Sequence, residues 1–66
     1  MKSYTPECAE IEKFAVTFVP PKTYLVCVQD FATKDYTLGF HGRSITITQQ
    51  QFDDGTWQEI VGREFQ

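Results

Sequence analysis

Tyr36-Thr37-Leu38-Gly39-Phe40-His41-Gly42-Arg43-Ser44-Ile45-Thr46-Ile47-Thr48 reads as a β-hairpin whose register can be worked out by hand. A two-residue turn fits at His41-Gly42, because Gly42 accepts the positive φ that such turns require and His tolerates it better than most residues. Phe40 then faces Arg43, Leu38 faces Ile45 and Tyr36 faces Ile47. Side chains alternate between the faces of a strand, so Tyr36, Leu38, Phe40, Ile45 and Ile47 share one side. Thr37, Gly39, Ser44, Thr46 and Thr48 take the other. Slipping the register by one residue would scatter the apolar set, so the pairing is well specified.

Working outward, residues 13–19 and 23–31 also read as strands. Phe14, Val16 and Phe18 alternate with smaller residues, and Pro20-Pro21 ends the run by removing two backbone donors. Pairing across residues 20–22 sets Phe18 against Tyr24, Val16 against Val26 and Phe14 against Val28. The connection at residues 32–35 leaves the parity open. An odd loop puts Tyr24, Val26 and Val28 on the Tyr36 face, and an even loop puts Leu25, Cys27 and Phe31 there. The odd loop is preferred, because it yields one continuous large apolar face.

The resulting expectation is an α+β, mainly β, single domain spanning residues 1–66. Its frame is a four-stranded antiparallel meander at about 13–19, 23–31, 35–40 and 44–48. A small SH3-like barrel is the alternative. The second strand has apolar residues on both sides, so residues 1–12 and 49–66 are expected to cover it. Without that cover, Leu25, Cys27, Phe31, Ala15 and Val19 would form an exposed patch of the kind that marks a partner surface.

Both flanks carry helix signals. Thr5-Pro6-Glu7 fits a helix start over residues 6–12, with an extended arm as the alternative. Thr48-Gln49-Gln50-Gln51 and Thr56-Trp57-Gln58-Glu59 both fit a capping box. They predict a helical turn at 49–53, a stop at Gly55, and a helix or closing strand at 57–61.

With 66 residues the core is thin, and a net stability of about 3–5 kcal/mol is the ceiling for such a core without staples. The charge is −3, and the deficit falls after residue 34, where Asp35, Asp53, Asp54, Glu59 and Glu64 face only Arg43 and Arg63. That balance argues against nucleic-acid binding, which needs cations to neutralise phosphates. It would suit a host protein with a basic surface. No apolar run is long enough for a membrane span, and the first residues lack the apolar core of a secretory signal. Cytosolic location and free thiols at Cys8 and Cys27 are therefore expected.

No catalytic, cofactor or metal signature emerges. His41 is the only histidine, which leaves a His-based metal site short of ligands. A Cys27–His41 thiolate pair would lack an orienting carboxylate. Asp53-Asp54-Gly55 lacks the later Glu and alternating oxygens of a calcium loop and reads as a turn. Trp57 reads first as core and, if exposed, as the leading interface residue. Asp53, Asp54, Trp57 and Glu59 are the foremost partner-contact candidates, followed by His41 and Arg43.

Gly42-Arg43-Ser44-Ile45-Thr46-Ile47-Thr48, then Phe52, Thr56-Trp57 and Ile60, resembles the ending of small phage and prophage proteins. There, a hairpin strand leads to a short turn carrying Phe, then to an aromatic and an aliphatic. Gly55 is an addition to that pattern, and the likeness covers the last third of the chain. The resemblance supplies no active site and implies a small β-rich accessory protein of phage origin, often one that binds and disables a host factor. With the small size, the missing catalytic groups and the acidic C-terminal half, the expectation is a non-enzymatic protein that inhibits or redirects a host protein such as a defence nuclease or a transcription or replication factor. Two other readings compete with it. One is a small structural or oligomerising module of a larger assembly, which pairs a sheet face or edge with its own copy, as in a homodimer. The other is a single-stranded nucleic-acid-binding β domain.

Overall fold

The computed structural model describes residues 1–65. In order, these form β1 (Lys2–Ser3), α1 (Pro6–Ala15), a 3-10 turn (Val16–Phe18), β2 (Leu25–Asp30), β3 (Tyr36–Phe40), β4 (Arg43–Ile47), α2 (Gln49–Asp54) and α3 (Thr56–Glu64). The sheet is four-stranded and antiparallel, in the order β1-β2-β3-β4. It stays open, and the barrel alternative is not needed.

The hairpin is as expected. Tyr36 pairs with Ile47, Leu38 with Ile45 and Phe40 with Arg43. His41 and Gly42 both have positive φ, 50° and 76°. Tyr36, Leu38, Phe40, Ile45 and Ile47 are all buried on one face.

Residues 13–19 correct the first strand of the expected meander. Lys13 to Ala15 complete α1, and Val16 to Phe18 continue as the 3-10 turn. The expected pairing of Phe18 with Tyr24 therefore does not exist, and β1 supplies the fourth strand instead, with Lys2 opposite Asp30 and Ser3 opposite Gln29. Helix wins because its signals begin upstream. Thr5 caps the helix by accepting from the Cys8 amide at 3.2 Å, and Pro6 occupies the first turn. Cys8, Ile11 and Ala15, three and four residues apart, then make one fully buried stripe.

Parity is also corrected: the even alternative is the one adopted. Leu25 pairs with Phe40, Cys27 with Leu38 and Gln29 with Tyr36, so Leu25 and Cys27 share the core face. The cause is a turn built on Asp30. Its carboxylate accepts from the Ala32 and Thr33 amides at 2.8 and 3.1 Å, and its carbonyl accepts from Lys34 at 2.8 Å. That turn ends β2 one residue early and leaves Phe31 outside. Cover comes to one face only. Tyr24, 76% exposed, and Val26, 38% exposed, stand on the uncovered side with Thr37, Ser44 and Thr46.

The C-terminal segment settles as two helices. Thr48 forms the expected capping box, with Gln51 returning a bond to the Thr48 amide at 2.9 Å. Gly55 stops α2 in the left-handed region at φ 84°. The second capping box does not form. Thr56 is already helical, and its amide donates to the Asp54 carboxylate at 2.9 Å. Helix is chosen over strand at 57–61 because Trp57 and Val61, one turn apart, are the buried residues of α3.

A chain of aromatic contacts ties these elements together. It runs Tyr36, Phe52, Trp57, Phe14, Phe18, Phe65 and Phe40, each neighbouring pair of rings lying 4.3–6.2 Å apart. One carboxylate does similar work for the backbone. Glu12 accepts from the Cys27 amide at 2.7 Å and from the Tyr4 hydroxyl at 3.0 Å. It takes the place of a strand carbonyl at the edge of β2. Glu12→Ala is expected to cost about 1–3 kcal/mol by orphaning that amide. Glu12→Gln keeps an acceptor and should recover most of the loss, as urea midpoints of the two variants will show.

Candidate interaction surface

Charge follows the layers of this fold. The three helices hold seven of the nine acids (Glu7, Glu10, Glu12, Asp53, Asp54, Glu59, Glu64) and two of the six bases (Lys13, Arg63), a net −5. Strands and loops hold Asp30 and Asp35 against Lys2, Lys22, Lys34 and Arg43, a net +2. Arg43 shares the face of Ile45 and Ile47 and pairs with Glu64 of α3, so the helical layer taken with it carries −4 and the remaining strands and loops +1. Among the described residues, the ion pair is Arg43–Glu64 at 3.3 Å, with both side chains exposed. Such a pair contributes at most about 1 kcal/mol.

The sequence-predicted residues fall in two places. Asp53, Asp54 and Glu59 are exposed on α2 and α3. Asp53 accepts from the Gln49 amide group at 3.0 Å. Asp54 serves the start of α3, and its bonds to the Thr56 hydroxyl and amide hold its carboxyl below the usual range. His41 and Arg43 sit at the hairpin tip, exposed, where Arg43 also stands over the Phe40 ring at 5.6 Å. Trp57 is withdrawn from the contact set. It is 3% exposed, wedged between Phe14 and Phe52.

Sequence reading missed the contribution of α1. Glu7 lies close enough to the Tyr36 hydroxyl to join Asp53 in raising its pKa, behind the larger effect of burial. Glu10 lines a shallow groove of about 380 Å³ between α1 and α3, with Lys13, Phe14, Thr17, Trp57 and Gln58. The helix-start signal at Thr5-Pro6 and the spacing of Cys8, Ile11 and Ala15 could have placed these acids on a helix.

The two cysteines are free, buried and adjacent in the core. Burial, then Cys8, pushes the Cys27 thiol well up, so it stays protonated in the folded protein. The unfolded chain ionises that thiol near its ordinary value of about 8.5. Above that pH the unfolded state binds fewer protons than the folded one, so stability falls as pH rises and is intact below it. Urea midpoints should therefore drop from pH 8 towards pH 10. Cys27→Ala should flatten that slope, leaving the part due to Tyr4 and Tyr36, both also raised, at higher pH.

Comparison with known proteins gave no matching family model, no matching curated protein and no matching solved structure. Among the described residues, no helix is long and apolar enough to cross a membrane. The chain is a small α+β domain that carries three helices on one face of an open antiparallel sheet.

Proposed function

We propose that this chain is a non-enzymatic accessory protein that binds a host protein through its acidic helical layer, inhibiting or redirecting it by contact. The observation that supports this reading is the segregation of charge, −4 on the helical layer with Arg43 included against +1 elsewhere. A one-sided field of this kind steers association with a basic surface and speeds encounter. Glu10, Asp53 and Glu59 are its exposed representatives on the three helices. The likeness of residues 42–60 to small phage and prophage proteins supports phage origin, with the partner a host factor in the cytosol. Defence nucleases and transcription or replication proteins, which carry basic nucleic-acid-binding surfaces, have the matching chemistry.

The test is a tagged pull-down from a bacterial lysate at low and high salt. One stoichiometric basic protein, retained at low salt and weakened at high salt, is the expected result. Recovery of no specific protein, or of one indifferent to salt, would count against the reading.

A further inference from the structure

The two edges of the sheet are treated differently. On the far side, β1 covers the end of β2, with Ser3 opposite Gln29 and Lys2 opposite Asp30, and Glu12 takes the Cys27 amide beyond it. The β4 edge is bare. Its backbone directions follow from the pairing already described. Cys27 donates away from β3, so residues of β3 opposite Val28 and Val26 bond to β2, and Tyr36, Leu38 and Phe40 bond to β4. On β4, Arg43, Ile45 and Ile47 therefore turn their amides and carbonyls inward, and Ser44 and Thr46 turn theirs out. Among the described residues, none of the outward groups of Ser44 and Thr46 has a hydrogen-bond partner. The next outward amide, that of Thr48, is taken by Gln51 at 2.9 Å. The edge is thus framed at one end by the turn and at the other by the capping box.

Proteins ordinarily protect such an edge with Lys, Pro, a bulge or a covering element. Here β4 has none of these between Arg43 and Thr48. Its side chains there are Ser44 and Thr46 outside and Ile45 and Ile47 inside, all uncharged.

We infer that β4 pairs with β4 of a second copy, antiparallel about a two-fold axis through Ile45, giving one continuous eight-stranded sheet. The argument for a second copy is self-complementarity. The two outward-facing residues are placed symmetrically about Ile45, so Ser44 of each chain meets Thr46 of the other and both pairs exchange two hydrogen bonds. Ile45 meets its own copy on the buried side, extending the core face across the axis. The two Arg43 side chains fall four residues apart along the paired strands, roughly 14 Å, so no like charges are opposed. This isologous arrangement satisfies every bare group of the edge at once. It leaves the acidic surfaces of α1–α3 on one side of the joint sheet, doubling the face proposed to meet a partner.

The test is hydrogen exchange read by NMR on the full chain, beside sedimentation, from about 10 μM to about 1 mM protein, spanning the dissociation range of a small interface. The expected result is a monomer–dimer equilibrium in which Ser44 and Thr46 amides become protected as dimer accumulates. Arg43, Ile45 and Ile47 amides should be protected throughout. Thr46→Pro removes an outward amide without touching a bond to β3, and should raise the dimer dissociation constant at least tenfold. Should that variant fail to fold, the wild-type exchange profile still decides. A monomer at all concentrations would overturn the inference. So would a dimer whose Ser44 and Thr46 amides exchange freely, which would move the contact to the Tyr24–Val26 face.

Discussion

Trp57→Ala leaves most of the protein unfolded at room temperature. The indole lies between Phe14 of α1 and Phe52 of α2, at ring separations of 5.3 and 5.5 Å, and links those two rings in the aromatic chain. Truncating a buried Trp costs about 3–5 kcal/mol, from lost burial and from the cavity left behind. A core of this size supplies about that much in total. The substitution therefore removes nearly the whole margin. Far-UV circular dichroism and urea titration will show it. Trp57→Phe keeps a ring between Phe14 and Phe52 and is expected to fold with a lower midpoint. A cooperative Trp57→Ala transition near the wild-type midpoint would mean that the indole does not hold the helices to one another.

Ile11→Ala is expected to cost about 2–5 kcal/mol, the range for a large aliphatic side chain truncated in a packed core. Ile11 is fully buried in the stripe that α1 lays on the sheet, beside Cys8 and Ala15. The result also separates two readings of the N-terminus. If residues 6–12 were an extended arm, the same substitution would behave as a surface change, within about 0.5 kcal/mol. Urea midpoints with an unchanged slope distinguish the two, since the slope reports how much surface unfolding exposes.

These two residues also mark where the sequence was legible and where it was not. The hairpin could be read completely, because its turn chemistry, its alternation and its register all point the same way. The same holds for the capping box at Thr48. At residues 13–19 two periods compete. Phe14, Val16 and Phe18 satisfy alternation, and Ile11, Phe14 and Ala15 satisfy a helix. What decides is the cap at Thr5 and the burial of Cys8, both upstream of the ambiguous run. The parity of β2 hinged on whether the strand ended at Asp30 or Phe31, and that rests on carboxylate bonds made within the turn. Charge was legible as a deficit in the C-terminal half. Its layering was not, because Glu7 and Glu10 join Asp53 and Glu59 only once α1 is a helix on the same face as α2 and α3.

The reading of function rests on that layering, and reversing the charge tests it most directly. Glu10→Lys, Asp53→Lys and Glu59→Lys together change exposed residues of the three helices and spare Asp54, which holds Thr56. The measurement is the affinity of the captured partner for this variant and for the wild type, at low and at physiological salt, with folding checked by circular dichroism. The account predicts at least a hundredfold loss at low salt and a much weaker salt dependence for the variant. Equal affinity of the two proteins would contradict it and remove the acidic layer as the binding surface.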